Sequence, residues 1–357
     1  MRLRILFIAE AIPPYCGGGE QVAWMNAVAL AGRHDVSVLT LGERERREVR
    51  DGVEVHYLKR PKHRLLYFAT AGRSKLQRCI TAIDPDVIHS HMPDVLHFCM
   101  KKGSRTLVST IHDGVPETRM KEMYGLSPYT LVKNKLIRAV NIYKSDFVTC
   151  VSQHNHKIMT ELYPYKKDRF SVIPNGIHSL YFTQVRGIRG KYALNFGRQI
   201  ALKMEPLLGV AGLLPELPFK FVGTGPMARD WGLSNVEFLG FHAEFVDVID
   251  NALLCVFPSL SENFPLVGLE AMARGKPIIA TRIGFSEYVE DGVNGLLLDD
   301  VEPESIAAAI KRLLRDECLY GKICEGARRT AEGFRFENVA GRYEELYCSL
   351  RLQRKDG

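Results

Sequence analysis

The chain has 357 residues, 46% of them hydrophobic, which is ample for a buried core and more naturally two domains than one. Its eight cysteines, at 16, 79, 99, 150, 255, 318, 324 and 348, include no C-x-x-C pair and mostly sit in apolar or helical surroundings, so neither a disulfide framework nor a zinc site is indicated and a reducing cytosol fits best. The net charge of +7 is uneven: residues 1–180 carry 27 Lys and Arg against 17 Asp and Glu, and the rest 21 against 24, which either an anionic partner for the first half or ordinary surface solubility would explain.

Along the chain, "LRILFIA" at 3–9 ends at Glu10 and two prolines. It is too short for a signal-peptide core or a membrane span and reads as a first buried strand. The runs "DVSVLTL", "VEVHYL", "DVIHSH", "TLVSTIH", "FVTCVS" and "FSVIPN" follow, most leading into a polar or helical segment. Alternation of this kind predicts parallel sheets covered by helices. The basic, glycine-containing stretch "TQVRGIRGKY" at 183–192 reads as an interdomain linker. A second series follows it, "ALNFG", "FKFVGTG", "VEFLG", "LLCVFPSL", "PIIAT" and "NGLLL", and a final helix is expected over about 337–353. The expected organisation is α/β throughout: a Rossmann-like domain over 1–185, a second over 186–335, and a C-terminal helix and tail over 336–357.

The stretch "SENFPLVGLEAMARGKPIIAT" at 261–281 places Glu262 on a loop after a buried strand and Glu270 on a helix bracketed by Pro265 and Gly275. Free N–H groups at 264–267 would point out of the carboxyl end of the sheet, where a phosphate docks. A carboxylate one turn further in suits the two vicinal hydroxyls of a ribose. For an arbitrary pair of glutamates eight apart, a solvated loop residue and an exposed helix residue are the commoner reading. Gly17, Gly18 and Gly19 precede a helix and permit close approach of a phosphate or sugar, although a plain strand-to-helix turn needs them too. His112 ends a buried strand.

The run from Pro258 through Thr281 resembles the signature of the retaining GT-B glycosyltransferases of glycosyltransferase family 4. "PPYCGGGEQVAW", "DVIHSH", "TIHD", "VSQHNHKIM", "VIPNGI", "NFGRQIALK", "FVGTGP", "VEFLGF" and "VEDGVNGLLL" fit the same family in order. The resemblance implies two Rossmann-like domains facing across a cleft, with the C-terminal helix returning to the first. It implies transfer of a sugar from a UDP- or GDP-sugar to a lipid-linked or saccharide acceptor with retention, in envelope or other polysaccharide synthesis. Arg198 and Lys203 would hold the departing diphosphate, as a fork and a point charge. By the same resemblance Glu262 holds donor hydroxyls, Glu270 the ribose, and His112 the donor sugar near the reacting centre. Gly18, Gly19, Asn263, Phe264, Pro265, Leu266, Gly223 and Gly225 would complete the donor site.

The chain departs from the pattern at Asn263 and Pro265, where glycines are common, at Met204, and in "RIGFSEY". "GTGPMA" at 223–228 matches a weak dinucleotide fingerprint, but no acid ends the following strand, which argues against a nicotinamide enzyme. Asp84 and Asp86 read as a turn, and His89, His91 and His97 lack a metal geometry, so no catalytic metal and no cofactor are expected. A sugar-nucleotide epimerase of the same architecture and a non-catalytic relative are the competing readings. No nucleic-acid partner is expected. Residues 59–78 hold seven Lys and Arg, no acid, and the apolar block Leu65, Leu66, Tyr67 and Phe68, which reads either as peripheral attachment to an anionic membrane surface on the cytoplasmic side or as a surface helix packing that block into the first domain's own core; the excess positive charge of that half favours the first.

Overall fold

The computed structural model describes residues 1–14, 18–92, 95–112, 127–183, 190–242 and 245–355. These form two compact units, residues 1–176 with 336–357, and residues 177–335.

In the first unit an eight-stranded sheet runs β3 (Arg46–Arg50), β4 (Val53–Lys59), β2 (Asp35–Gly42), β1 (Arg4–Ile8), β5 (Val87–Met92), β6 (Thr106–Ile111), β7 (Phe147–Cys150), β8 (Phe170–Val172). Every pairing is parallel except β3 with β4. Helices α1 (Gly18–Ala31), α2 (Arg64–Ala69), α3 (Arg73–Ile83), α4 (Val95–Cys99), α5 (Pro128–Lys144) and α6 (Gln153–Leu162) follow the strands. Both sheet faces are covered, which is why Ile5, Leu6, Phe7 and Ile8 are all buried in succession. Ile5 and Phe7 meet Trp24, Ala27, Tyr343 and Tyr347 on one side, and Leu6 and Ile8 meet Phe68, Leu76, Ile80 and Leu96 on the other.

The β3–β4 hairpin escapes the apolar-run reading because β3, "RREVR", is an exposed, charged edge. Its turn is Asp51–Gly52, both at positive φ (51° and 79°), the geometry that joins antiparallel strands without splaying them.

The second unit is a six-stranded, all-parallel sheet in the order β11 (Val236–Gly240), β10 (Phe219–Val222), β9 (Tyr192–Phe196), β12 (Ala252–Phe257), β13 (Ile278–Thr281), β14 (Leu296–Leu298). This is the doubly wound 3-2-1-4-5-6 order, with its switch point between β9 and β12. Its helices are α7 (Ala201–Met204), α8 (Pro206–Leu213), α9 (Phe245–Asp250), α10 (Leu266–Ala273), α11 (Pro303–Arg315) and α12 (Glu317–Glu332).

The division falls after Gly176 rather than at 185. Ile177 bridges to Arg335, its N–H donating to the Phe334 carbonyl at 2.9 Å, and Arg274 holds residues 181 and 183, so this segment packs with the second unit. Of the expected linker, residues 184–189 lie outside the described residues.

Helix α13 (Phe336–Lys355) returns to the first unit. Tyr347 hydrogen-bonds His89 Nδ1 at 2.6 Å, Tyr343 meets Thr110 Oγ1 at 3.1 Å, and Arg351 donates to Asp86 at 2.9 Å. His89 is thereby a satisfied core residue.

The apolar block at 65–68 is core as well, a correction to its reading as a membrane-inserting patch. Phe68 is buried, Leu65 and Tyr67 pack against the same cluster, and of the four only Leu66 is exposed. Three of the segment's seven basic residues have partners within the unit: Arg64 pairs with Glu10, Lys75 with Glu45, and Arg60 donates to the Glu10 carbonyl at 2.9 Å. Among the described residues no helix is long and apolar enough to cross a membrane.

Candidate active site

The carboxyl ends of β9 and β12, on either side of the switch point, carry the loops that hold the charged residues. After β9, Gly197 turns at φ +118° and Arg198 stands exposed, with no side-chain partner among the described residues. Gln199, fully buried, anchors this turn: its amide donates to the Val222 carbonyl at 2.9 Å and the Gly197 carbonyl at 3.1 Å. Lys203 follows on α7. After β12, residues 258–265 lead into α10, and the Leu260 N–H donates to the Leu202 carbonyl at 2.8 Å, tying the two loops together.

Lys203 and Glu262 meet here. Lys203 Nζ donates to Glu262 Oε1 at 2.5 Å, and Ser259 Oγ donates to the same oxygen at 3.1 Å. Both side chains are mostly buried yet open to solvent. Gly284, at φ +75°, makes room for Glu262: a Cβ there would stand 2.7 Å from the Glu262 Cβ and 2.9 Å from its carbonyl carbon. The departure "RIGFSEY" therefore includes the residue on which the Glu262 backbone rests.

Helix α10 begins at Leu266 with Pro265 as its N-cap and no side-chain cap, leaving the first-turn N–H groups to a ligand or solvent. It ends in a Schellman motif, with Gly275 at φ +67° and the N–H groups of Gly275 and Lys276 donating to Met272 and Ala271. The Phe264 side chain is buried against Tyr288 and Phe334, with ring centroids 5.2 and 5.6 Å away, so only its backbone is free for a ligand. Tyr288 was not singled out in the sequence. Its hydroxyl donates to the Pro265 carbonyl at 2.6 Å and would sit 2.3 Å from a Cβ at position 268, which makes Gly268 a requirement of this helix. Asn263 and Leu266 are partly exposed beside it.

Glu270 lies in the second turn of α10. Burial pushes its carboxyl up to about 7, against the lowering effect of the neighbouring Tyr181 hydroxyl. Gly223 and Gly225 take φ values of +130° and +155° and press against backbone. A Cβ at 223 would stand 1.9 Å from the Gly197 carbonyl oxygen, and one at 225 stands 2.1 Å from that of Gln199. Their contribution to the site is to shape the turn that carries Arg198.

The remaining expected residues belong to the first unit. His112 follows β6, and a Cβ on Gly19 would come within 3.0 Å of its ring, so the glycine start of α1 and His112 are brought together. Gly18 opens α1 with open space around it; Gly17 lies outside the described residues. His112 Nε2 lies 2.7 Å from His91 Nδ1, with the two rings stacked. Burial lowers the His112 ring to about 4, so it is a neutral hydrogen-bonding group at pH 7. Among the described residues no group of three or more His, Cys, Asp or Glu side chains is placed to hold a metal ion.

Two family models match the chain, Glycosyltransferase Family 4 over residues 16–179 and Glycosyl transferases group 1 over residues 203–316, one on each unit. The chain belongs to the group 1, family 4 glycosyltransferases. Among similar proteins, an exopolysaccharide phosphotransferase of Streptomyces coelicolor is 27% identical over 95% of this chain, but the chain spans only 40% of that protein's length. An N-acetyl-alpha-D-glucosaminyl L-malate synthase of Bacillus anthracis is 27% identical over 80% of each chain. The solved structure of Anabaena HepE with UDP and glucose superposes with a TM-score of 0.76 at 20% identity, covering 98% of this chain and all of that one. Its fold is thus that of the GT-B glycosyltransferases.

Proposed function

We propose that the chain transfers a sugar from a nucleoside-diphosphate donor to a lipid-linked or saccharide acceptor, with retention of anomeric configuration and without a metal ion. The observation that carries this reading is the convergence of Arg198, the Lys203–Glu262 pair, the uncapped start of α10 and Glu270 at the β9/β12 switch point. Open α/β sheets bind nucleotides in that crevice. The Anabaena structure holding UDP and glucose supports a nucleotide-sugar ligand for the same fold.

In this reading Arg198 and Lys203 face the diphosphate and stabilise the charge that grows on it as the glycosidic bond breaks. Lys203 is drawn from Glu262 toward phosphate, leaving Glu262, still bonded by Ser259, to accept from donor hydroxyls. The Glu270 carboxylate accepts from the ribose. The leaving diphosphate takes the proton of the acceptor hydroxyl, which attacks the face of the sugar that the diphosphate vacates. Incubation with UDP-, GDP- and ADP-sugars and a phospholipid-linked or oligosaccharide acceptor tests it. Acceptor-dependent release of diphosphate that survives EDTA, with an unchanged anomeric configuration by NMR, is the expected outcome. Epimerised donor would favour an epimerase, and activity lost on chelation and restored by manganese would overturn the metal-free mechanism.

The acceptor proposal includes attachment to an anionic leaflet. Helix α5 carries no acid and exposes Tyr129, Val132, Leu136 and Tyr143 (75, 68, 54 and 73%) at helical spacing, with Lys133 and Lys135 among them. Cosedimentation with anionic vesicles is expected at low salt and should be lost in Val132→Glu/Leu136→Glu. Wild type left in the supernatant would point to a soluble acceptor.

A further inference from the structure

Strand β5 sets His89 and His91 two positions apart, so both rings lie on one face of the first sheet, with centroids 4.7 Å from each other. His89 is fully bonded, Nδ1 to the Tyr347 hydroxyl at 2.6 Å and Nε2 to Thr110 Oγ1 at 2.7 Å. His91 reaches instead past the end of β6, where its Nδ1 lies 2.7 Å from His112 Nε2. Its own Nε2 is buried and has no hydrogen-bond partner among the described residues. The His112 ring is confined from the α1 side as well, since a Cβ at Gly19 would stand 3.0 Å from its Cδ2 and 3.5 Å from its Nε2.

This bonding pattern decides where the protons sit. Burial keeps both imidazoles neutral at pH 7, His112 at about 4 and His91 well below its ordinary value, so each ring has one N–H and only one N–H lies between them. If His112 Nε2–H donated, His91 would have to carry its proton on Nε2, leaving a buried N–H with no acceptor. If His91 Nδ1–H donates, its Nε2 is left only as an unpaired lone pair. Buried N–H groups without an acceptor are rarer in folded proteins than acceptors without a donor, which favours the second arrangement. In it His112 Nε2 accepts, and the His112 ring carries its own proton on Nδ1.

We propose that His91 is a positioning residue that holds the ring proton of His112 on Nδ1, so that His112 meets a nucleotide sugar as an N–H donor to a hydroxyl or phosphate oxygen and not as a base. This rests on the reading that His112 belongs to the site of the transferred sugar. With its Nε2 lone pair taken up by His91, the ring has no basic nitrogen to offer, in keeping with the route above that sends the proton of the acceptor hydroxyl to the diphosphate.

Protein labelled with 15N at histidine reports the tautomer in long-range 1H–15N correlation spectra at pH 7.5, with the His112 signals identified as those lost in His112→Ala. Wild type should show His112 protonated on Nδ1. His91→Leu, which removes the donor, should convert His112 to the Nε2–H form or to a mixture. His91→Asn, whose amide N–H can stand close to the place of the imidazole Nδ1–H, should restore the Nδ1–H form. The same order is expected in kcat/KM: His91→Leu falls about tenfold, the size of one hydrogen bond, His91→Asn recovers most of the loss, and His91→Leu adds nothing further in a His112→Ala background. Wild-type His112 protonated on Nε2, or an Nδ1–H form that persists in a folded His91→Leu, would overturn the assignment. If the tautomer responds as expected while His112→Ala keeps the kcat/KM of wild type, His91 does control the ring and it is the placement of His112 at the nucleotide sugar that fails.

Discussion

Lys203→Ala is expected to lower kcat by about 10²-fold or more, with a smaller rise in KM, when diphosphate release is followed at saturating donor. Two effects act in the same direction. The substitution removes a cation from the diphosphate, and it deprives the mostly buried Glu262 carboxylate of its charged partner while Ser259 still donates to it. Arg198→Ala should give a loss of the same order with no change in thermal midpoint, because Arg198 is exposed and makes no ion pair among the described residues that folding depends on. The pair of variants separates chemistry from stability. A rise in KM alone, with kcat unchanged in both, would mean that these cations bind donor and transition state equally and do not assist departure.

Arg274→Ala should cost about 3–5 kcal/mol of stability, the range for removing one partner of a buried ion pair, and appear as a lower midpoint in urea or thermal unfolding. The deletion strands the Asp250 carboxylate and leaves three acceptors at residues 181 and 183 without their donor. Arg274→Lys is not expected to rescue it, since an ammonium cannot fork onto a carboxylate and reach a second segment at once. A variant as stable as wild type would show that water replaces the guanidinium and that these bonds are dispensable.

The parts of this fold that were legible in the sequence are those whose physics is local. Strands buried on both faces read as continuous apolar runs, and every such run from "ILFIA" to "NGLLL" became a strand. The bracket of α10 by Pro265 and Gly275 was visible because proline and glycine act on their own backbone. The charged edge strand β3 was passed over for the same reason in reverse: an edge needs charge, not apolarity, and its Asp-Gly turn was the better signal. The apolar block at 65–68 misled because composition does not say which way a short helix faces; the core beneath it claimed Phe68.

Within the candidate site, the spacing of Lys203 and Glu262 left open whether they meet, and the sheet order answered it by placing β9 beside β12. Gln199 carried one readable signal, a neutral polar residue in the turn just past an apolar strand. Tyr181, Arg274 and Asp250 carried none that could be joined, since the contacts among them span from 24 to 93 positions. Glu270 was assigned to a ribose without any indication that its carboxyl would be buried enough to share its proton near neutral pH.

The central claim is that the loops after β9 and β12 bind a nucleoside diphosphate. Calorimetry of UDP, GDP and ADP against wild type and a Lys203→Ala/Glu270→Gln double variant tests it most directly. The account predicts saturable binding of at least one diphosphate to wild type at pH 8 and its loss by a factor of about 10² or more in a folded double variant, the sum of two charged hydrogen-bonding contacts. Equal affinity in the two proteins would place the nucleotide elsewhere and contradict it.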